Sequence, residues 1–422
     1  MISLNNYCNG KRISIYGAGN WGRMLAIYLI EKEVAVDSFV VSSMRLYATR
    51  EILEIPVKTI DEYENEATSS SALVLAVSLK YREEIKKTLA EKAIENYYVL
   101  TDEEVSEIFH QVKYKKKYHF TNNINIVLYH RVADLPIDPR HLSISPRRFE
   151  MQLKYFKAHC SMIRTEDDWD DRKSLAITFD DGHYDFCSNV LPLLEKYEVP
   201  ATVFITTGLI GKEAELWGDE LERILYINDY RRQRFEIWGQ LFFLGSESER
   251  FSSMIRLRNM LKNMPSDERI NCLSELSTFL KAGTKPRITH RIMTAAEIQK
   301  CAQSSFVTIG AHTVTHCCLA QETKERQIQE IRDSKKALEE IIEKEVTMFA
   351  YPYGEVEDFT EETIRIAKSI GLKKIFAVCG GMTNSQYING RIPRNNVSFC
   401  KTEEELSRQM NYLSHVFGDS RV

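Results

Sequence analysis

Two carboxylates and two histidines follow strand-like runs of apolar residues. Asp180 and Asp181 come directly after LAITF, and His312 and His316 follow VTIGA four positions apart. One carboxylate and two imidazoles make three protein ligands for a divalent metal and leave positions open for water and substrate, as in catalytic zinc sites. A further carboxylate beside such a metal can act as a general base. The four side chains therefore predict a site for a divalent metal and a base.

Each of these motifs is weak by itself. Two aspartates before Gly182 commonly form a turn, and two histidines four apart are commonly unrelated surface or core residues. A third motif, MFAYPYG, places Tyr353 at another strand end. The order of the three motifs and their shared position at strand ends argue for a common site.

The strand ends that carry these residues belong to a long series of β-α units. From Asn122 onward, strand patterns such as NINIVLYH, SLAITF, ATVFITT, FVTIGAH and TMFAYP alternate with amphipathic helix patterns. Such a series closes into a barrel or a partial barrel, whose active-site residues lie at the carboxyl ends of the strands. The stretch from about 208 to 289 is charged and rich in helix patterns. We expect it to be a helical insertion that caps one end of the barrel.

The first 118 residues form a separate alternation of strands and helices, which predicts a parallel sheet. YGAGNWGRM carries Gly17, Gly19 and Gly22 as GxGxxG between a strand and a helix, a placement that can bring a backbone turn against a pyrophosphate. The acidic residue expected after the second strand is missing, which argues against NAD, since VDSFVVSSMR offers Ser42 and Arg45 there. Arg45 either accommodates a 2′-phosphate or is solvated. We expect a nucleotide or nucleotide-sugar ligand, or none.

The three motifs also carry a family resemblance. TFDDG, HTVTH and YPYG, in that order and spacing, resemble the polysaccharide deacetylases with a NodB homology domain, carbohydrate esterase family 4, over about residues 122 to 397. YHRV, LWGDEL and MTAAEI are similar to the subgroup found in bacterial surface-glycan clusters. The resemblance implies a distorted (β/α) barrel of NodB type over residues 119–422 of an α/β chain. Residues 1–118 separately resemble the small Rossmann-like modules that are joined to bacterial glycan-modifying enzymes.

The resemblance also implies roles for the residues of the three motifs. In the family, the first aspartate of the pair is the general base, and the second aspartate and both histidines bind the metal. Asp180 would then be the base, and Asp181, His312 and His316 the ligands. The backbone N–H of Tyr353 would bind the oxyanion, a contact typically worth about 3 kcal/mol of transition-state stabilisation.

Two positions depart from the family pattern. An arginine commonly lies two residues before the proline of the third motif, where Ala350 stands. Arg394 is our first candidate for orienting the base and Arg391 is the second. The alternative is that both are ordinary surface charges. The family's general acid has only a loose counterpart, LSH, which makes His415 the candidate acid. The alternatives for the acid are His130 and His183.

Composition narrows the class of protein. The 422 residues exceed what one compact core normally holds, and 43% hydrophobic and 27% charged residues are typical of globular domains. The net charge of -4 gives no general attraction to nucleic acid, and no run is long and apolar enough for a transmembrane segment. The nine cysteines show no disulfide spacing, and Cys317 and Cys318 after His316 lack the second pair of a thiolate zinc site. We expect reduced thiols and a cytoplasmic protein.

The favoured function is a metal-dependent N-deacetylase that hydrolyses the carbon-nitrogen bond of an N-acetylated sugar or surface-polysaccharide precursor. Zinc is the expected metal, although cobalt, nickel, manganese or iron suit the same ligands. Two alternatives are an NADP-linked oxidoreductase that uses the N-terminal domain and a non-catalytic glycan-binding protein. The sequence leaves open the sugar, its carrier and the oligomeric state. It also leaves open whether three aromatic residues stack on a sugar or belong to the core: Trp217, Tyr351 and Tyr353.

Overall fold

A computed structural model describes residues 4–42, 50–52, 55–77, 79–111, 124–169, 174–227, 234–378 and 390–417. The chain divides into two compact units, residues 1–119 with 411–422 and residues 120–410. The lysine-rich run from Lys113 to Lys117, at the boundary of the two predicted domains, lies outside the described residues. Within the described parts, no helix has the length and apolar character that crossing a bilayer requires.

The first unit is built on a mostly parallel sheet. Its strands have the order β3-β4-β2-β1-β5-β6, and only the short β3–β4 pair is antiparallel. The strands β1 and β5 are buried along nearly their whole length, as expected for parallel strands covered on both faces. The elements are α1 Leu4–Cys8, β1 Arg12–Tyr16, α2 Asn20–Glu31, β2 Val36–Val41, β3 Glu51–Ile52, β4 Ile55–Thr59, α3 Ile60–Glu66, β5 Ser71–Leu75, α4 Leu79–Glu91, β6 Tyr97–Val99 and α5 Asp102–Gln111.

The second unit is the predicted series of β-α units. The elements before its insertion are β7 Ile124–Tyr129, β8 Arg131–Val132, β9 Ser143–Ile144, α6 Pro146–His159, β10 Ser161–Met162, β11 Ser174–Phe179, a π-helical turn Phe186–Val190, α7 Leu191–Tyr197, β12 Ala201–Ile205 and a 3₁₀ turn Thr207–Leu209. Those of the insertion are α8 Trp217–Tyr226, β13 Arg234–Ile237, β14 Gln240–Phe243, α9 Glu247–Lys262, α10 Ser266–Phe279 and a 3₁₀ turn Ile288–His290.

The elements after the insertion complete the sheet. They are α11 Ala295–Gln303, β15 Val307–Ala311, a 3₁₀ turn Leu319–Gln321, α12 Lys324–Ile342, β16 Met348–Ala350, a 3₁₀ turn Val356–Asp358, α13 Glu361–Ser369, β17 Lys374–Ala377, β18 Ile392–Pro393, β19 Asn395–Asn396 and α14 Glu403–Phe417. Several helices begin where a side chain caps the first turn, and Thr294, Thr323 and Thr360 do so for α11, α12 and α13.

The parallel sheet of the second unit is nearly closed. Its order is β18-β17-β16-β15-β12-β11-β7-β19, and all neighbours along this path are parallel. The segment from Ile392 to Asn396 belongs to both ends of the order, because β18 pairs with β17 and β19 pairs with β7. Only Arg394 lies between the two short strands. The predicted α/β barrel-like sheet is confirmed, and its last strand closes the ring around this arginine.

From the sequence we expected a helical insertion, but the structure also has two strands there. β13 and β14 form an antiparallel hairpin whose turn is Trp238–Gly239. Both turn residues have positive φ, 52° and 69°, as the tight two-residue hairpin turns require. Trp-Gly is a less familiar turn signal than Asn-Gly, and the charged helices on either side dominate the local pattern. The hairpin packs with α8, α9 and α10 into a core of their own.

Candidate active site

The two aspartates leave the sheet at the carboxyl end of β11. Asp181 and Gly182 both have left-handed backbones, with φ of 72° and 81°. A Cβ atom on Gly182 would stand 2.8 Å from Cγ2 of Ile205, so the turn requires glycine at this position. Because the backbone reverses here, the adjacent carboxylates of Asp180 and Asp181 meet different partners.

The two histidines leave the sheet at the carboxyl end of β15. The turn between them includes Thr313 with φ of 63°, and His316 itself has φ of 54°. The buried carboxylate of Glu330, from α12, accepts hydrogen bonds from the backbone N–H groups of Val314 at 2.8 Å and Thr315 at 2.9 Å. This carboxylate holds the turn so that the two imidazole rings lie 5.0 Å apart, centroid to centroid.

Asp181, His312 and His316 come together as one group of metal-ligating side chains. Their ligand atoms all lie within 4.8 Å of one another. Asp181 Oδ1 is 3.1 Å from Nε2 of His316 and 3.7 Å from Nε2 of His312. Neither of the cysteines that follow His316 belongs to this group of described residues.

The chemistry of these donors fits a divalent cation. Asp181 Oδ1 is buried without a hydrogen-bond partner among the described residues. Nδ1 of His312 lies 2.8 Å from the carbonyl oxygen of Ala350, which favours the tautomer with a proton on Nδ1 and a free lone pair on Nε2. Burial lowers the pKa of His312 to about 4, so the ring is neutral. Burial raises the pKa of Asp181, but His183 and His316 outweigh it and hold that pKa well below its usual range.

Asp180 meets Arg394 instead of the histidines. The guanidinium donates through Nη1 to Oδ1 at 2.6 Å and through Nη2 to Oδ2 at 2.7 Å. Both side chains are almost completely buried. Burial raises the pKa of the Asp180 carboxyl, but Arg394 outweighs it and holds the pKa below its usual range. Arg391, by contrast, forms a surface ion pair with Glu361 at 3.3 Å.

Tyr353 lies at the end of β16 beside the histidines. Its φ is 61°, and among the described residues no group accepts a hydrogen bond from its backbone N–H. Its ring lies 4.8 Å from that of His316, and its hydroxyl donates to the His316 carbonyl at 2.9 Å. Trp217 Nε1 donates to the same hydroxyl at 2.8 Å. Tyr353 therefore connects the barrel to α8 of the insertion.

Tyr351 is a core residue. Its ring stacks on Phe359 with centroids 4.0 Å apart, and its hydroxyl donates to the carbonyl of Gly390. The side chain is fully buried. It therefore offers no surface for a sugar.

The three candidate acids have different surroundings. His130 follows β7 and is partly exposed. Burial lowers the pKa of its imidazole, and the carboxylates of Asp181 and Asp180 oppose that shift. His183 is buried between carboxylates, with Nε2 3.7 Å from Asp181 and 3.5 Å from Asp219. The side chain of His415, our first candidate, lies outside the described residues.

A buried ionic network in the insertion escaped the sequence analysis. Arg140 pairs with Asp219 of α8 and lies 3.4 Å from Glu222. Arg287 in turn lies 2.8 Å from Glu222. Asp219 lies in the LWGDEL motif and Glu222 directly follows it. Their spacing on one helix was the available sequence signal for this network. No pattern marks Arg140 as their partner, because it lies in an irregular segment before β9.

The glycines of the N-terminal unit have two kinds of surroundings. A Cβ on Gly17, where φ is 107°, would stand 2.7 Å from Val77, and one on Gly22 would stand 1.6 Å from the Gly17 carbonyl oxygen. Neither position has room for a side chain, so both require glycine. Gly19 has no neighbour within 4 Å of such an atom. Arg45, which we considered for a 2′-phosphate, lies outside the described residues.

Comparison with known proteins places the second unit in a family. The sequence model of the family described as polysaccharide deacetylase matches residues 168–228 and 275–375. This part of the chain belongs to the polysaccharide deacetylase family. The interval between the two matched segments lies within the insertion, so the hairpin, α9 and most of α10 lie outside the part of the chain that matches the family.

The curated relatives match only parts of this chain, and the matched parts span less than two thirds of the relatives' own length. A poly-beta-1,6-N-acetyl-D-glucosamine N-deacetylase of Staphylococcus aureus is 34% identical over 82 residues, which are 18% of this chain and 28% of the relative. The polysaccharide deacetylase homologue YxkH of Bacillus subtilis is 21% identical over 255 residues, 58% of this chain and 61% of the relative. Among solved structures, the Streptococcus pyogenes deacetylase PplD, in complex with acetate, is 16% identical with a TM-score of 0.44, covering 69% of this chain and 99% of that one.

Proposed function

We propose that this chain is a metal-dependent N-deacetylase that hydrolyses the acetamide of an N-acetylated saccharide to acetate and a free amine. The observation that carries the proposal is the separation of two adjacent carboxylates. Asp181 points to His312 and His316, while Asp180 is bound by Arg394. A ligand group and a separate, oriented base side by side are what metal-assisted hydrolysis needs.

Asp181, His312 and His316 would hold the metal, with zinc preferred for this donor set and cobalt, nickel, manganese or iron also suited. When bound, a divalent metal supplies acidification of water and polarisation of the amide carbonyl. Asp180 takes the proton of the attacking water. Arg394 orients both carboxylate oxygens of this base, the part that an arginine before the proline plays in related sequences. The Tyr353 N–H donates to the oxygen that becomes negative in the transition state.

We propose His130 as the group that protonates the leaving amine. It is partly exposed, and the carboxylates of Asp181 and Asp180 oppose the lowering of its pKa by burial. His183 is less suited, because it is buried between two carboxylates and has no access to solvent. A His130→Gln variant should lose activity on acetamides but keep more of it on an acetate ester whose leaving group needs no proton.

The direct test measures acetate and metal together. Wild-type protein should release acetate from N-acetylglucosamine oligomers, chelator should abolish release, and resupplied zinc should restore it. Asp180→Asn should abolish release while retaining about one metal per chain. A His312→Ala, His316→Ala double variant should lose both. Asp134→Asn, which removes an exposed carboxylate from the same unit, is the matched control.

The result against the proposal is equally concrete. Acetate release that survives both chelator and Asp180→Asn would refute metal-dependent hydrolysis. Sugar binding without any acetate release, across a panel of acetylated saccharides, would instead favour a non-catalytic glycan-binding protein.

For the first unit we propose a Rossmann-like domain that binds a nucleotide or nucleotide-sugar at the loop after β1. The chain order of its sheet reverses between β1 and β5, and ligands of open parallel sheets bind at such a reversal. The open space around Gly19 supports this placement. Saturable NADPH binding lost in Gly19→Val would revive the oxidoreductase alternative. Residence in the cytoplasm stays a prediction, which the redox state of the cysteines in cells can test.

A further inference from the structure

The insertion places positive charge beside the candidate active site. Arg258 and Lys262 lie one turn apart on α9, with the Arg258 guanidinium carbon 5.5 Å and Lys262 Nζ 4.8 Å from the ring centroid of Tyr353. Arg269, from α10, lies 5.0 Å from the ring of Trp217. Since Trp217 donates to the Tyr353 hydroxyl, the three cations surround one aromatic pair.

These cations differ in how their charge is balanced. Lys262 pairs with Asp358 and lies 3.8 Å from Glu355. Within the described part of the chain, neither Arg258 nor Arg269 has a carboxylate at ion-pair distance. Arg269 is 2% exposed, and its Nε and Nη1 lack hydrogen-bond partners there. Neither guanidinium is therefore held in a direct ion pair with a described carboxylate.

An uncompensated buried charge is costly, and a guanidinium does not escape that cost by losing its proton. Burial lowers the pKa of Arg258 and the charge of Arg140 adds to that shift, while Tyr353, Glu355 and Asp358 oppose it. Arg258 as a whole residue is only partly buried, unlike Arg269. The planar fork of arginine matches the oxygens of a phosphate or a carboxylate.

The position of Arg258 relates it to the substrate. The Tyr353 ring contacts the His316 ring with centroids 4.8 Å apart, and Arg258 lies over the same tyrosine. One aromatic side chain thus separates Arg258 from a candidate metal ligand. A group bound there would belong to the same sugar as the acetamide or to its immediate substituent.

We propose that Arg258 is the anion-binding residue of a substrate subsite, and that the N-acetylated sugar deacetylated by this chain carries a phosphate or a carboxylate. The proposal rests on the deacetylase function proposed above. Arg269 adds to the positive potential from its place beside Trp217. Lys262 contributes less, because Asp358 and Glu355 largely neutralise its charge.

Binding measured by calorimetry tests the subsite without requiring catalysis. The wild-type protein should bind N-acetylglucosamine 1-phosphate, or the carboxylate probe N-acetylglucosaminuronic acid, at least about tenfold more tightly than methyl N-acetylglucosaminide. Arg258→Gln should remove this preference and leave the affinity for the neutral glycoside unchanged. Arg258→Lys should restore part of it. Arg256→Gln is the matched control, because Arg256 is an exposed arginine on the same helix that bonds to Gln240.

The outcomes separate the two proposals. A preference for only one of the charged probes identifies phosphate or carboxylate as the natural group. No preference for either, or a preference that persists in Arg258→Gln, overturns the subsite. Acetate release from the same probes reports independently on the deacetylase function. If acetate is released but the charged probes are not preferred, only the subsite is refuted. If the charged probes are preferred but no probe releases acetate, only the deacetylase function is refuted.

Discussion

The ion pair between Arg394 and Asp180 should be important for stability as well as for the site. Arg394→Met would leave the Asp180 carboxylate buried without its two donors at 2.6 and 2.7 Å. Removing one partner of a buried pair typically costs about 3–5 kcal/mol, because the remaining charge keeps its desolvation penalty. We expect a loss of about 3 kcal/mol in the free energy of unfolding of the second unit.

Adding Asp180→Asn to Arg394→Met removes both charges, so the double variant should be more stable than the sum of the two single losses predicts. The interaction energy of this cycle should be about 2 kcal/mol or more. Urea unfolding followed by tryptophan fluorescence is the assay, since every tryptophan except Trp21 lies in the second unit. All measurements need chelator present, because metal binding would add its own stabilisation.

Arg391→Met is the matched control from the same segment. Its ion pair with Glu361 is exposed, so its loss should change stability by no more than about 0.5 kcal/mol. If Arg394→Met costs less than about 1 kcal/mol, or if the two changes are simply additive, the buried pair is not formed as described and the reasoning fails.

Three further predictions concern the turns and a buried lysine. Glu330→Ala should weaken zinc binding about 10- to 100-fold in a chelator-dye competition by freeing the turn between the histidines, and the exposed Glu325→Ala should not. Gly182→Ala should cost about 2 kcal/mol in urea unfolding, more than Gly211→Ala, where φ is also positive but no atom lies within 4 Å. Burial lowers the pKa of Lys374 to about 8, so between pH 8 and the pKa of the unfolded chain the unfolded state binds more protons and stability rises with pH. Relative to Lys374→Met, the wild type should gain about 1 kcal/mol of unfolding free energy over this range, and Lys373→Met should keep that gain. A wild type without the gain would contradict the shift.

The parts of the site that sequence could predict are those set by local pattern. SLAITF is buried at every position, as a central parallel strand should be, and so it places Asp180 at a carboxyl end. The histidine pair follows the same logic on β15. Arg394 was a candidate only by analogy, because its meeting with Asp180 depends on two residues 214 positions apart being brought together by closure of the ring.

The parts that sequence could not predict depend on tertiary partners. Tyr351 follows a strand like a ligand-facing aromatic residue, but Phe359 stacks on it and fills the core. Arg258 reads as one charge among many on an amphipathic helix. Only the packing of α9 against Tyr353 distinguishes it from the exposed Arg256 two residues earlier.

The split last strand ties catalysis to the completion of folding. Until β18 and β19 dock between β17 and β7, Asp180 has no arginine and the ring has an open gap. Asn395, next to that arginine, donates to Asn125 across 270 positions of the chain, so this contact is among the latest that a growing polypeptide can make. A chain still emerging from the ribosome would therefore contain the proposed metal ligands before the proposed base meets its arginine. The activity, once measurable, would thus report the closing of the barrel in real time.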